Sequence, residues 1–429
     1  MTQALVVAAF ATAYVLIATE RIHRVAAALS GAAAMVLLGV VDAHVAFFSE
    51  RTGVDWNVIF LLLGMMVIVG VLRRTGVFEY LAIITAKRAR GRPFVIMASL
   101  MVLTAVASAL LDNVTTVLLV APVTLLVCEQ IGAPPAPYLI AEAMAANIGG
   151  TATLVGDPPN IIIGSRSGLT FNDFVLNLAP IVVVLLAITI GLCRWMFRHH
   201  LAGDRTDIDA LMALDEREAI TDPRLLAKSL VVLVAVMAAF VSHSVLDVEP
   251  SMVALLGAGA LVAISRLEPS EYLGEVEWPT LVFFMGLFVM VGALVETGVI
   301  ASLAKIATDA LGQRYFLASS VIIVASGALS GIVDNIPYVA TMAPLVQDLV
   351  HAGHGAPGAE AAWWSLALGA DLGGNATAVG ASANVVVLGI AARNDHHISF
   401  WTFTKYGLVV ATVTIAVAWA YVGLRYFAA

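Results

Sequence analysis

Apolar residues run through this chain in long segments separated by short polar connections. At about 1.5 Å per residue, a helix of about 20 residues crosses the hydrocarbon core of a bilayer. The pattern predicts an all-α polytopic membrane protein with five crossings in each half. The predicted crossings are 4–19, 25–41, 56–72, 138–164 and 174–196, followed by 225–247, 251–265, 278–295, 361–391 and 402–426.

Two further apolar stretches, 94–128 and 316–351, are each interrupted near the middle by an Asp-Asn pair. A polar break flanked by short apolar arms suits a re-entrant hairpin, whose tip lies near the centre of the membrane. We therefore predict one re-entrant hairpin in each half. Two of the predicted crossings, 138–164 and 361–391, contain Gly- and Pro-rich interruptions and are expected to be broken helices.

The two halves of the chain repeat each other. Asp112 aligns with Asp334 at an offset of 222 positions, and the same offset aligns Gly64 with Gly286, which we expect to be helix-packing residues. Because five crossings is an odd number, the second half enters the membrane from the opposite side, which predicts an inverted repeat. The predicted units are the first repeat 1–196, a hydrophilic linker 197–224 and the second repeat 225–429.

Composition and charge agree with a membrane location. Hydrophobic residues make up 61% of the chain, charged residues only 12%, and the mean hydropathy is +0.96, far from the values of soluble domains. With both termini outside, seventeen Lys and Arg fall in cytoplasmic connections and five outside. We therefore predict a plasma-membrane protein with a cytoplasmic linker, and we expect lipid contact but no nucleic-acid partner.

Polar chemistry inside the apolar context is concentrated at four places. Two are the hairpin tips and two are the breaks in the fourth crossing of each half, which run from Asn147 to Asn160 and from Asp371 to Asn384. Unwound backbone there would free carbonyl and N–H groups for ions and anions. The tips supply Asp112, Asn113, Thr115, Asp334 and Asn335.

The sign of the charge at these places narrows the mechanism. Four carboxylates, those of Asp112, Asp157, Asp334 and Asp371, are predicted near the centre of the membrane, and no Lys or Arg is predicted near them. Such a group of acids attracts cations or takes up protons. Coupled transport follows more naturally than an open channel, which would need a continuous polar path. No HExxH, GxGD or Ser/His pairing within the spans indicates an intramembrane enzyme.

The segments LLDNVTTVLLVAPVTLLVCE and IAEAMAANIGGTATLVGDPPNIIIGS resemble the ArsB/NhaD branch of the ion transporter superfamily, which includes bacterial ArsB-like permeases and the melanocyte P protein. The resemblance extends from about Val54 over nearly all the remaining chain. It implies a mobile transport domain built from the hairpins and broken helices, a scaffold that also forms the interface of a homodimer, and elevator-like movement.

The resemblance also implies a set of site residues. In the second half GASAN, from Gly380 to Asn384, replaces the GDPPN of the first half, so Asp157 has no acidic counterpart there. If Na⁺ is the coupling ion, its candidate ligands are Asp112, Asn113, Asn147, Asp334 and Asn335. The implied substrate and ion site comprises Asp112, Asn113, Asn147, Thr151, Thr153, Asp157, Asn160, Asp334, Asn335, Asn375, Thr377, Ser382 and Asn384.

The function expected from these residues is that of a secondary active transporter. The resemblance favours export of a small inorganic oxyacid or anion such as arsenite, coupled to H⁺ or Na⁺, with no other cofactor. An NhaD-like Na⁺/H⁺ antiporter suits the acidic centre equally well. A permease for another anion, such as a divalent anion, a citrate-like anion or chloride, is the remaining alternative.

Overall fold

The computed structural model describes residues 2–19, 21–49, 51–201, 212, 215–242, 248–311, 314–353, 356 and 358–428. Regular structure in this part of the chain is helical throughout, which confirms the predicted all-α class. Seven of the described helices are long and apolar enough to cross a membrane, as a polytopic protein requires.

Within the described ranges, the α-helices fall into two sets of ten, one before and one after a short 3-10 helix at Glu216–Ala219. The first set is α1 Thr2–Thr19, α2 Arg24–Leu37, α3 Ala43–Phe48, α4 Trp56–Arg73, α5 Val77–Arg88, α6 Pro93–Leu110, α7 Asn113–Gln130, α8 Pro135–Gly150, α9 Pro158–Ser167 and α10 Phe171–Met196. The second set is α11 Pro223–Val241, α12 Pro250–Ser265, α13 Pro269–Leu273, α14 Trp278–Glu296, α15 Val299–Leu311, α16 Tyr315–Ser330, α17 Asn335–Ala352, α18 Ala361–Gly373, α19 Ser382–Arg393 and α20 Phe400–Tyr426.

Equivalent pairs of helices are in contact in the two sets. Helix α6 packs on α8 as α16 packs on α18, and α7 contacts α19 as α17 contacts α9. Across the halves, α4 packs on α12 and α14 packs on α2. A Cβ on Gly64 would lie 2.6 Å from the Ala254 backbone, and one on Gly286 would lie 3.0 Å from the Ala28 backbone. These glycines therefore let the helix backbones approach closely, as their predicted packing role requires.

The predicted crossing 25–41 is shorter in the structure than in the sequence pattern, as is 225–247, whose helix ends at Val241. The apolar segment 25–41 forms α2, whose 14 residues extend only about 21 Å. The helix ends at Leu37 because Gly39 follows with a φ of 70°, a left-handed conformation that glycine adopts without strain. Hydrophobicity alone therefore overestimated the length of this helix.

Backbone breaks lie where the sequence places helix-disrupting residues. Helix α8 ends at Gly150 and α9 begins at Pro158, while α18 ends at Gly373 and α19 begins at Ser382. Proline suits the first position of α9 because it has no N–H to leave unbonded. The chain also leaves helical conformation between α6 and α7 and between α16 and α17, where the two Asp-Asn pairs lie.

The described end of the predicted linker contacts the first half. The Lys87 ammonium lies 2.5 Å from the carboxylate of Glu216, and the backbone N–H of Thr221 donates to the Thr75 carbonyl at 3.1 Å. Residues 202–211, 213 and 214 of the linker lie outside the described part of the chain.

Candidate functional site

Four asparagines form a buried amide network that joins the two halves. Asn147, near the end of α8, accepts a hydrogen bond from Asn113 Nδ2 at 3.2 Å through its Oδ1. Its own Nδ2 donates to Asn375 Oδ1 at 2.9 Å and to Asn384 Oδ1 at 3.0 Å. All four side chains are buried. Asn147 is therefore the centre of a network that includes the first hairpin tip and the second helix break.

Asp157 connects the two hairpin tips. Its Oδ2 accepts from Asn113 Nδ2 at 2.8 Å and from Asn335 Nδ2 at 3.3 Å, and its Oδ1 lies 3.4 Å from the same Asn335 nitrogen. The residue is fully buried. One carboxylate thus holds amide donors from both halves, although its position in the sequence has no acidic counterpart.

Asp371 is the second fully buried acid of the cluster. Thr151 and Asn160 face its carboxylate, but neither does so with the geometry of a hydrogen bond. Buried polar atoms in folded proteins nearly always have a partner, and exceptions cluster at functional sites. Within the described part of the chain, the buried atoms of this cluster without a hydrogen-bond partner are Asp371 Oδ1 and Oδ2, Asn113 Oδ1, Asn160 Oδ1 and Asn375 Nδ2.

The two acids come from positions that are not equivalent in the repeat. Aligning NIGGTATLVGDPPN with DLGGNATAVGASAN places Asn147 opposite Asp371 and Asp157 opposite Ala381. Asp157 interacts electrostatically with Asp371, Asp334 and Asp112. Each break therefore contributes one carboxylate to the same buried cluster, the first from its end and the second from its beginning.

The asparagine that follows each break stabilises the unwound backbone. Asn160 Nδ2 donates to the Thr153 carbonyl at 3.0 Å. Asn384 Nδ2 donates to the carbonyls of Gly374 at 2.8 Å and Thr377 at 2.9 Å. Carbonyls freed by the helix break therefore find amide donors inside the protein, as buried backbone groups require.

The predicted threonines lie at the junctions between the breaks and the hairpins. Thr153 Oγ1 donates to the Ala109 carbonyl and Thr377 Oγ1 donates to the Gly331 carbonyl, both at 2.6 Å. Thr151 Oγ1 bonds back to the Asn147 carbonyl at 2.9 Å. In this conformation the three hydroxyls stabilise the backbone around the site.

The two tip acids have different environments. Asp112 caps α7, accepting from the Thr115 backbone N–H at 2.7 Å. Asp334 caps α17 but also accepts from Ser382 Oγ at 2.8 Å and lies 3.8 Å from the Arg24 guanidinium. The expectation that no Lys or Arg lies near the acids was wrong. Arg24 lies at the start of α2, and its long side chain extends to the second tip.

Sequence reasoning also missed a buried carboxylate on α8. Glu142 is 1% exposed, and its Oε1 is hydrogen-bonded to Thr124 Oγ1, while its Oε2 has no partner in the described structure. The signal was present, because a lone Glu in an apolar run is itself a reason to suspect function. Its position outside the repeated motifs explains why it was not selected.

Comparison with known proteins gives one family. The sequence profile of the citrate transporter family matches residues 14–369. An uncharacterized transporter of Mycobacterium tuberculosis is 58% identical, with 97% of each chain covered. The 46 kDa membrane protein of Mycobacterium leprae is 53% identical, again over 97% of each chain.

A more distant relative and a solved structure extend the comparison. The human P protein is 32% identical over 96% of this chain and 59% of its own length. The crystal structure of the Alcanivorax borkumensis YdaH transporter superposes with a TM-score of 0.61 at 16% identity, covering 85% of this chain and 84% of that one. At that identity the likeness concerns the fold alone.

Proposed function

Because the chain belongs to the citrate transporter family, a family of secondary transporters, we propose that it moves a small oxyacid or anion, arsenite first among the candidates, in exchange for or together with H⁺ or Na⁺. The observation that carries the proposal is the pair of fully buried carboxylates, Asp157 and Asp371, inside an amide network that joins both halves. Buried acids of this kind call for a cation or a proton.

Coupling would arise from the cost of burying negative charge. Two carboxylates that interact in a low-dielectric interior repel each other, and a proton or Na⁺ removes that repulsion. Oxygen ligands suit Na⁺, and the cluster offers them from Asp157, Asp371, Asn113 and Asn160. We therefore extend the candidate Na⁺ ligands to Asp157 and Asp371, whose carboxylates are fully buried in this cluster.

The cargo would bind beside the same cluster. Asparagine side chains both donate and accept hydrogen bonds, which suits an oxygen-rich solute such as a neutral oxyacid. An anion would be repelled by the acids unless a cation accompanied it. Cation and anion binding would thus favour each other, as cotransport requires, whereas exchange requires that the two solutes occupy the cluster alternately.

Alternating access would come from an elevator movement of an inverted repeat. The exchange symmetry of the helix contacts supports the repeat, and the close packing of α6 on α8 and of α16 on α18 supports a compact transport unit formed by α6–α9 and α16–α19. The remaining long helices would form a scaffold with the dimer interface. In this proposal both termini are external, the linker is cytoplasmic and the membrane is the plasma membrane.

Two other cargoes belong to the same proposal. A citrate-like carboxylate anion is favoured by the description of the matching family. Na⁺/H⁺ antiport, as in the NhaD proteins that the motifs resemble, is favoured by the acids themselves. In that case the ions compete for Asp157 and Asp371 and no oxygen-rich solute is needed.

Flux into proteoliposomes tests these alternatives. Arsenite, citrate, Na⁺ and chloride are supplied separately under an imposed proton gradient, with Asp157→Asn as the matched variant. We expect arsenite flux that depends on the gradient or on Na⁺ and that Asp157→Asn abolishes. Proton movement driven by Na⁺ with no other solute present would favour Na⁺/H⁺ antiport over oxyacid export. Cargo flux that depends on neither cation would contradict coupled transport.

A further inference from the structure

Arg24 links two parts of the protein that the proposed transport cycle must separate. Its Nη1 donates to Ser382 Oγ at 2.6 Å and lies 3.8 Å from Asp334 Oδ2. Its Nη2 lies 3.5 Å from Thr280 Oγ1, and its guanidinium carbon is 5.6 Å from the centre of the Phe283 ring. Arg24 therefore joins α2 and α14 to the second tip and the start of α19.

A cavity of about 300 Å³ lies next to this contact. Its lining includes Arg24 and Phe283 on one side and Asp334, Val333 and Ser382 on the other. The Arg24 side chain is 32% exposed and that of Asp334 is 19% exposed. Small ions can therefore reach the ion pair without any rearrangement of the buried amide network.

The backbone of Asp334 supports a special role for this tip. Its φ of 66° with ψ of 134° lies in a region that non-glycine residues avoid, whereas Asp112 at the first tip is extended, with a φ of −163°. Strained backbone persists only where surrounding contacts hold it, and it concentrates at switches and binding sites. Here the Asp334 carboxylate is held by the Ile336 N–H as well as by Ser382 and Arg24.

The arginine at this position occurs in only one of the two repeated halves. Helix α2 begins with Arg24, whereas its counterpart α12 begins with Pro250, preceded by Glu249. The helix start in the second half that corresponds to Arg24 therefore carries a proline and an acid instead of an arginine. A charge that exists in one half only is not required by the fold, since the other half builds the same helices without it.

We propose that Arg24 is a tethered substitute for the coupling cation at Asp334. In the conformation described, the guanidinium neutralises the tip acid and holds the transport unit against the scaffold. Other titratable groups that interact with this ion pair include Asp157, Tyr14 and Glu277, which accepts from Thr280 Oγ1 at 3.1 Å. A Na⁺ ion or proton that binds Asp334 displaces Arg24, and loss of this contact releases the unit for movement. The inference rests on the proposed function, because it assumes that a cation drives transport, and it adds the residue that competes with that cation.

Removing the competitor makes the cation bind more tightly. In Arg24→Gln we expect the half-saturating concentration of Na⁺, or of protons if they couple, to fall about fivefold, which corresponds to about 1 kcal/mol for a partly exposed ion pair. Arg24→Lys keeps the charge and stays close to the wild type. Arg21→Gln removes a neighbouring exposed arginine and serves as the matched control. An unchanged or increased half-saturating concentration in Arg24→Gln overturns the proposal.

A second measurement separates this proposal from the proposed function. A cysteine at Val333, in the cavity lining, is labelled with a membrane-impermeant maleimide in the full-length protein. We expect faster labelling in Arg24→Gln than with Arg24 present, and acceleration by Na⁺ or lower pH only when Arg24 is present. Equal labelling in both backgrounds refutes the tether even if flux is coupled. Flux without any cation dependence, combined with faster labelling, refutes the proposed function and leaves Arg24 as a simple restraint.

Discussion

Asp157→Asn separates the electrostatic role of the central acid from its structural role. The carboxylate accepts from Asn113 at 2.8 Å and from Asn335 at 3.3 Å through one oxygen, Oδ2. An asparagine whose oxygen takes the place of Oδ2 keeps both bonds and loses only the 3.4 Å contact of Oδ1. We expect the free energy of unfolding to change by about 1 kcal/mol or less, while cation-coupled flux disappears.

Asp157→Ala gives the contrasting result. It removes the acceptor of Asn335 Nδ2 and one of the two acceptors of Asn113 Nδ2. One buried N–H on each amide then lacks a partner, at about 1 to 3 kcal/mol each, so we expect a loss of roughly 2 to 6 kcal/mol. Unfolding in mixed detergent micelles and flux in proteoliposomes measure the two effects separately. Asp222→Asn makes the same chemical change at the surface cap of α11 and serves as the control, because asparagine caps helices as well as aspartate does. Coupled flux at the wild-type rate in Asp157→Asn refutes the electrostatic argument.

Three further predictions concern the network, the additional acid and the topology. Asn147→Ala removes three buried hydrogen bonds. We therefore expect the free energy of unfolding to fall by about 3 kcal/mol in the same assay. A loss below about 1 kcal/mol would contradict a stabilising role for the amide network. Glu142→Gln keeps an acceptor for the Thr124 hydroxyl and should retain the wild-type size-exclusion profile, whereas Glu142→Lys puts an unpaired ammonium at a site that is 1% exposed and should prevent folding. Equal profiles for the two variants would contradict the burial of this side chain. Cysteines at Glu216 and His351 should be labelled from opposite sides of the membrane, and labelling from one side would refute the inverted repeat.

The sequence identified the breaks and tips because their signals are local. Glycine, proline and polar side chains inside apolar runs are unfavourable in a lipid-facing helix, so each such cluster predicts an interruption where the structure has one. The amide partners could not be predicted in the same way. Asn147 and Asn384 are 237 positions apart in sequence, and only packing of the two halves decides which asparagine meets which acid.

Arg24 was missed for a related reason. It follows an apolar run and precedes another, which is the pattern of a membrane-surface anchor. The length and flexibility of its side chain allow it to reach Ser382, 358 positions away in sequence. The distribution of Lys and Arg along the sequence predicts only the side of the membrane on which such a residue lies. The structure is needed to show which acid its side chain contacts.

The exchanged acids in the two helix breaks bear on how the protein can evolve. Two identical halves that each carried one acid at one of these two positions would place their acids at equivalent positions. Here Asn147 lies opposite Asp371 and Asp157 lies opposite Ala381, so the two acids occupy positions that are not equivalent. Each half has therefore specialised, and replacing either half by a second copy of the other would keep two acids but move one of them to the other end of its break. The duplicated halves have become complementary parts, so a substitution at a single position in one half changes the number or the placement of the buried acids.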